Sequence, residues 1–407
     1  MPYYSVKAVD DYGREVKKTI EADNDLQLIS FLDFLRLTPV KISKRPEVLG
    51  RVQKVLHFRR VKRKDLIDLF ENLHLLARSG IPLGTGLWDL AEDTENPAIR
   101  DMLEDIAFRV QSGLSISDAV ARYESVLGTI AVNLIRIGEE TGNLDKVFKD
   151  ISDHYKRIED FVSKVKQALI YPAFALFAIT SALIFWLVFV LPRLAELFKS
   201  LNVQLPGITL FVLGISEFLQ GNLIPIFAVL GAVVAVFLIA RSKSEKFRYL
   251  TDKAFLKVPI ISMILYSFNY AFFSEYMRLM ITAGVSLYDS FETLENSFRN
   301  RVFRRAMGYI KEFVSGGGSI SEGMRRTGLF PSLMVRMVAV GEETGGLDQQ
   351  LDYLAQYYYN RLDYITQNIA KILEPVIIIT VGGFMALIMV SLLLPIYDLI
   401  SQIGQRF

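Results

Sequence analysis

Gly138-Glu-Glu-Thr-Gly-Asn-Leu-Asp145 returns almost unchanged as Gly341-Glu-Glu-Thr-Gly-Gly-Leu-Asp348, 203 residues further along the chain. Working outward, Pro172 matches Pro375 and Pro192 matches Pro395 at the same spacing. Arg78-Ser-Gly-Ile-Pro-Leu83 answers Thr282-Ala-Gly-Val-Ser-Leu287 with a one-residue slip. Each copy leads from a polar, helix-patterned stretch into a long apolar run. A period this long, present twice, is an internal duplication rather than a solenoid. The chain therefore reads as two related halves, each a helical domain of aqueous character tied to a membrane segment.

The bulk numbers agree. Among 407 residues, 51% are hydrophobic and 22% charged, with a mean hydropathy of +0.30. That is too apolar for an ordinary soluble enzyme and too charged for a chain wholly in lipid. A net charge of +2 gives no reason to expect nucleic acid as a partner. The absence of cysteine excludes disulfides, zinc–thiolate sites and cysteine nucleophiles.

Ala168–Leu191, Leu223–Ala240 and Val376–Leu394 hold no charged side chain, and their 24, 18 and 19 residues suit helices crossing a bilayer. Pro192 and Pro395 are expected to close the far ends of the first and third. Homologous domains belong in one compartment, so an even number of crossings must separate them, and the first two runs supply it. Lys156, Arg157, Lys164 and Lys166 precede the first run. Arg241, Lys243, Lys246, Arg248, Lys253 and Lys257 follow the second. The segment between carries only Arg193 and Lys199, and the tail only Arg406. The basic flanks are expected to stay inside. Met1 to Arg45 offers no apolar run after a basic start, so the N-terminus is expected in the cytoplasm and the C-terminus in the periplasm. Each run has a small-xxx-small pair suited to helix packing in lipid, Ala178/Ala182, Gly231/Ala235 and Gly382/Ala386.

The expected organisation is a small α+β module over 1–45, a basic linker over 46–64 and a first cytoplasmic bundle over 65–167. A transmembrane helix over 168–191, a periplasmic loop over 192–222 and a second transmembrane helix over 223–240 follow. A second cytoplasmic bundle over 241–374, a third transmembrane helix over 375–395 and a periplasmic tail over 396–407 complete the chain. In the module, Tyr3–Val9 and Glu15–Ala22 read as strands around an Asp10–Gly13 turn, Asp25–Leu37 as a helix and Pro39–Ser43 as a third strand. Arg51–Lys64 carries seven basic residues and no acidic ones, a solvated linker or a grip on anionic headgroups.

Within the bundles, Leu66, Leu69, Leu73 and Leu76 form an apolar stripe answered by Tyr270, Phe273, Met277 and Met280. Asn96-Pro97 starts one helix. Ser115-Ile-Ser-Asp118 and Ser319-Ile-Ser-Glu322 read as capping boxes after Gly113 and Gly316–Gly318. The fold class is thus an all-α membrane protein with two duplicated six-helix bundles, three transmembrane helices and a small N-terminal α+β module.

A search for chemistry comes back empty. There is no phosphate-binding Gly-x-x-x-x-Gly-Lys-Ser/Thr loop and no Gly-x-Ser-x-Gly elbow, and His57, His74 and His154 are isolated. The spans hold no ionisable side chain to drive a transporter or an intramembrane protease. No catalytic, metal or cofactor site is expected, and a transporter or channel subunit is the alternative from another class. The duplicated stretch itself reads as a corner, with Gly142 and Gly345 taking a left-handed conformation past a helix end and Asn143 capping the helix that follows. Glu139, Glu140, Glu342 and Glu343 are not explained by corner geometry, because a helix C-terminus disfavours negative charge by about 0.3–1 kcal/mol. A basic surface, within the domain or on a partner, or a divalent cation would favour them. Gly138, Glu139, Glu140, Gly142 and Asp145, with Gly341, Glu342, Glu343, Gly345 and Asp348, form the candidate corner or partner-binding motif.

Gly80-Ile-Pro-Leu83, Gly113-x-Ser115-x-Ser117, Gly138-Glu139 with Gly142-x-Leu144-Asp145, Tyr171-Pro172 and their second-half counterparts also carry a resemblance, as does Tyr4-x-x-Lys-Ala8-x-Asp10-x-x-Gly13. Over essentially its whole length the chain resembles the inner-membrane platform proteins of type II secretion and type IV pilus assembly systems. It departs from many of them at Glu71 and Glu275, where a basic residue is common. The resemblance implies a non-enzymatic scaffold that docks a hexameric assembly ATPase and contacts pilins or pseudopilins and other inner-membrane assembly components. It also implies membrane lipid around the spans and a homo-oligomer.

Overall fold

A computed structural model describes residues 2–22, 24–45, 58, 61–200 and 206–404. Most of the basic stretch Arg51–Lys64 lies outside the described residues. The N-terminal module is a three-stranded antiparallel sheet of β1 (Tyr3–Val9), β2 (Glu15–Glu21) and β3 (Thr38–Arg45), in the order β2-β1-β3. Helix α1 (Asp25–Phe34) covers one face of it. Tyr4, Val6 and Ala8 repeat every second residue along β1 and bury against Leu28, Phe31 and Leu32 of α1. The Asn24 side chain caps α1 by accepting from the Gln27 amide at 2.8 Å.

The first repeat supplies α2 (Arg63–Arg78), α3 (Leu83–Asp93), α4 (Pro97–Gln111), α5 (Ile116–Ala121), α6 (Glu124–Leu127), α7 (Thr129–Glu140) and α8 (Leu144–Phe185). A π-helical turn, Trp186–Val190, leads into α9 (Leu191–Ser200), and α10 (Gly207–Lys243) and α11 (Glu245–Phe255) precede the second repeat. That repeat contains α12 (Ile261–Thr282), α13 (Leu287–Ser297), α14 (Arg301–Ser315), α15 (Ile320–Thr327), α16 (Ser332–Thr344) and α17 (Leu347–Gly404). The four-residue α6 has no counterpart, since Phe330-Pro331 stands where the first copy has Leu127-Gly128.

Two compact units emerge. One comprises described residues of 1–160, 270–299 and 303–356; the other, those of 161–269, 300–302 and 357–407. In the first, Leu66, Leu69 and Leu73 are buried on α2, and Tyr270, Phe273, Met277 and Met280 on α12, as the apolar stripes require. Rings of Tyr270, Phe273, Phe303 and Phe330 pack in mutual contact at the second repeat's centre. Each such buried ring contributes about 1.5–3 kcal/mol through apolar area removed from water.

Among the described residues, three helical stretches are long and apolar enough to cross a membrane: within Leu144–Ser200, Ile224–Lys243 and Leu347–Leu393. One sequence expectation changes here: neither Pro192 nor Pro395 closes the helix it stands in, and α17 runs on to Gly404. The segment 192–222 between the first two runs is itself largely helical. The chain stays helical through Pro192 to Ser200 and is helical again from Gly207. Proline lacks the N–H that would bond the Val188 carbonyl four residues back. That carbonyl instead accepts from Gln220 Nε2 of α10 at 2.9 Å, and the neighbouring Leu187 carbonyl accepts from the Ser216 hydroxyl. The widened π turn is the local consequence, with the Leu191 amide reaching back to the Trp186 carbonyl. Trp186, Leu187, Leu191 and Ala195 then pack with Val212 and Leu213.

Candidate functional site: the duplicated Gly-Glu corner

Helix α7 ends at Glu140, and the Asn143 amide bonds the Gly138 carbonyl at 2.8 Å across Gly142, whose φ is +70°. Gly345 plays the same part with φ +75° after α16. Both positions lie in the left-handed region that favours glycine. Gly138 and Gly341 serve a different need. A Cβ on Gly138 would stand 2.8 Å from Val147 Cγ2, and one on Gly341 would stand 2.8 Å from the Leu347 Cα. Their bareness lets the long helices α8 and α17 start close against the preceding ones. Asn143 does not cap α8 with its side chain, which donates to the Thr141 carbonyl at 3.2 Å; its own carbonyl accepts from the Val147 amide.

The glutamates have an internal partner that sequence spacing does not reveal. Glu139 Oε1 accepts from the Ile116 amide at 2.7 Å, and Oε2 from the Ser117 amide at 2.9 Å. Ser115 Oγ takes the Asp118 amide at 3.0 Å. All three donors at the start of α5 are thereby satisfied, two by a carboxylate from another helix. The second repeat repeats the arrangement. Glu342 accepts from the Ile320 and Ser321 amides, and Ser319 Oγ from the Glu322 amide at 3.2 Å. A carboxylate is therefore set against the positive end of a short helix, which offsets its position near the negative end of its own. The reciprocal arm expected of a capping box is not what Glu322 does; it pairs with Arg325 and Arg326 at 2.8 and 3.1 Å.

Glu140 and Glu343 are exposed and make no hydrogen bond or ion pair among the described residues. Asp145 and Asp348 lie in the first turns of α8 and α17, where the helix dipole favours them. The Asp145 carbonyl accepts from His74 Nδ1 at 2.7 Å, tying the start of α8 to α2. No group of three or more acidic or histidine side chains with metal-binding geometry occurs among the described residues.

The departures at Glu71 and Glu275 also find partners within the chain. Glu71 pairs with Lys156 of α8. Glu275, buried on α12, accepts from His154 Nδ1 at 2.7 Å and from Arg157 Nη1 at 3.0 Å. The carboxylate can only accept, so Nδ1 carries the proton in that bond. Both histidine and glutamate are almost fully buried, so this link joins the two repeats inside the first compact unit. The N-terminal module is fastened by Lys18, which donates to Asp101 Oδ1 at 2.8 Å and also contacts Glu104. Burial opposes the Lys18 charge, but Asp101 and Glu104 together hold its ammonium above the usual lysine range. Burial above all, with the Asp101 charge nearby, holds the Glu104 carboxyl above the usual carboxylate range against the pull of Lys18.

The small-residue pairs lie elsewhere. Ala178, Ala182, Gly231, Ala235, Gly382 and Ala386 are all exposed in the single chain. Packing between apolar helices is made instead by Trp186 and Leu187, with Phe384 and Ile388 of α17 against them.

A family model for the type II secretion system protein F matches residues 69–192 and again 273–395, one match per repeat. The chain is 30% identical over 347 residues to the type IV pilus assembly protein TapC of Aeromonas hydrophila, covering 85% of this chain and 84% of that one. It is 29% identical to the type IV pilus assembly protein PilC of Pseudomonas aeruginosa, covering 90% and 97%. It is 27% identical to the type II secretion system protein F of Vibrio cholerae, covering 98% of both chains. With both copies of its corner inside the matched segments, the chain belongs to the type II secretion system protein F family.

Proposed function

We propose that this protein is the non-enzymatic platform of a type II secretion or type IV pilus machine in the bacterial inner membrane. In this reading its aqueous bundles dock a hexameric assembly ATPase, and its apolar helices meet pilins or pseudopilins as these leave the bilayer. The N-terminus is cytoplasmic and the C-terminus periplasmic. One observation carries the reading. Each Gly-Glu corner opens directly into a single helix, α8 of 42 residues or α17 of 58, that runs from aqueous sequence into an apolar stretch. With Glu139 and Glu342 engaged internally, the glutamate charge available to a partner at each corner is that of Glu140 and Glu343, beside the partly exposed Asp145 and Asp348.

Two experiments test this. Single cysteines at Ser112, Ser244, Ser200 and Ser401 report topology unambiguously in a chain without native cysteine. An impermeant maleimide on intact cells should label the last two only; labelling of Ser244→Cys with Ser200→Cys protected would reverse the orientation. Glu140→Gln combined with Glu343→Gln should reduce copurification of the assembly ATPase, as raised salt does, because exposed charges are screened over about 8 Å at physiological ionic strength. Unchanged copurification would remove these two residues from the docking surface.

A further inference from the structure

Helix α10 is 37 residues long, about 56 Å, whereas the hydrocarbon of a bilayer is about 30 Å thick. The helix is interrupted at Asn222, with φ −128° and ψ 15°, shortly before Pro225. The break separates Ile224–Lys243, the stretch apolar enough to span, from the fifteen residues Gly207–Gly221. Those fifteen would face water if the chain simply left the membrane at the break.

Their surface chemistry argues otherwise. Thr209, Val212, Leu213 and Ser216 point inward, packing toward the π turn and α9. The opposite face presents Ile208, Phe211, Ile215 and Phe218, with Phe211 70% and Phe218 61% exposed. These four recur at helical spacing, so they form one stripe. In the whole segment Glu217 is the only charged residue. The neighbouring α9 differs: its exposed positions include Arg193, Glu196 and Lys199. A water-facing helix at this place in the chain therefore has a charged outer face, and Gly207–Gly221 has an apolar one. A soluble surface seldom exposes an apolar stripe that includes two phenylalanines.

We infer that Gly207–Gly221 lies in the membrane interface, with Ile208, Phe211, Ile215 and Phe218 inserted among the lipid acyl chains and the charged face of α9 turned to water. The occupant of the stripe is lipid because the stripe continues into Ile224–Lys243, none of whose spanning window is buried within the protein. Asn222 is then the corner at which the chain turns from the membrane plane into the span, its Nδ2 donating to the Phe218 carbonyl at 3.0 Å to close the end of the interfacial segment. An amphipathic element of this kind binds through buried apolar area. The inference rests on the reading of Ile224–Lys243 as a span.

The test uses the full-length protein in vesicles of phosphatidylcholine and phosphatidylglycerol, with single nitroxide-labelled cysteines. The positions are Phe211, Ile215 and Phe218 on the stripe, Glu196 and Lys199 on α9, and Val234 within the span. All are surface positions, so folding is not at stake at any one of them. Labels on the stripe should collide with dissolved oxygen and lose collisions with a water-soluble nickel chelate, as at Val234, while those on α9 show the reverse. Nickel access on the stripe equal to that on α9 would overturn the inference while leaving the span intact. Exclusion of both relaxants, or spin–spin broadening between copies, would place protein rather than lipid against the stripe and overturn it equally. Nickel access at Val234 would defeat the span reading and the inference with it.

Discussion

Replacing Glu139 with glutamine should release the start of α5 without unfolding the protein. The carboxylate accepts two backbone hydrogen bonds, from Ile116 and Ser117. Glutamine keeps one acceptor oxygen but turns an amino group toward the other amide, so one bond is lost outright. A hydrogen bond to a charged group is worth about 1.5–3 kcal/mol net. Loss of the negative charge at the helix N-terminus adds about 0.3–1 kcal/mol. The local cost is therefore about 3 kcal/mol, and at roughly 1.4 kcal/mol per factor of ten this is about a hundredfold in the local opening equilibrium. Amide hydrogen exchange, followed by mass spectrometry on the full-length protein in detergent, should accelerate by about that factor in peptides covering Ile116–Ala121. Glu342→Gln should do the same to Ile320–Thr327. Glu140→Gln is the control, since an exposed substitution shifts stability by less than about 0.5 kcal/mol. Exchange at Ile116–Ala121 changing by less than about threefold in Glu139→Gln would refute the assignment of this glutamate as a helix cap. Equal effects from Glu139→Gln and Glu140→Gln would refute it as well.

Two further predictions concern other junctions. Lys18→Met strands Asp101 and Glu104 and should destabilise the seating of the β-module by about 2–3 kcal/mol at pH 7. That is below the ~3–5 kcal/mol of a fully buried pair because Asp101 is partly exposed. Because the Lys18 value is raised in the folded state, its contribution holds below about pH 10.4 and is lost as pH rises through the folded value. Limited proteolysis of Tyr3–Arg45 should therefore increase at strongly alkaline pH in the wild type and already be high in Lys18→Met at pH 7; equal cleavage of both at pH 7 would discard the clasp. Gln220→Ala leaves the Val188 carbonyl without its donor and should cost about 1 kcal/mol in unfolding from mixed micelles. In a Pro192→Ala background the cost should largely vanish, because residue 192 regains an N–H for that carbonyl; additive losses would show that the π turn is not set by the proline.

Local patterns carried most of the fold. The stripes of α2 and α12, the caps at Asn96, Ser115 and Ser319, and the three apolar runs each depend on residues within a turn or two of one another. What stayed hidden depends on side chains that meet across longer separations. Glu139 and Ile116 are 23 residues apart and Glu342 and Ile320 are 22, and no periodicity links them. Ser-Ile-Ser and Gly-Glu are retained together in both repeats, and that joint retention is the trace the contact leaves in the sequence. Pro192 stays within a helix for a related reason. A proline ends a helix only if nothing else serves the orphaned carbonyl, and Gln220 sits 28 residues downstream. Glu71 and Glu275 are isolated in sequence, and their partners Lys156, His154 and Arg157 stand more than eighty residues away.

The two glutamates of each corner now separate by cause. Glu139 and Glu342 sit near the negative end of one helix because each reaches the positive end of another, and two direct bonds outweigh a dipole term of under about 1 kcal/mol. Geometry accounts for them fully, so retention in both repeats needs no partner. Glu140 and Glu343 share the unfavourable helix end without any such bond, and they too stand in both copies. A surface residue that costs a little stability and makes no hydrogen bond or ion pair among the described residues gains nothing within the fold by recurring. The charge that calls for an external explanation is therefore the second glutamate of each pair, and a docking experiment aimed at the first would read out a loosened helix instead.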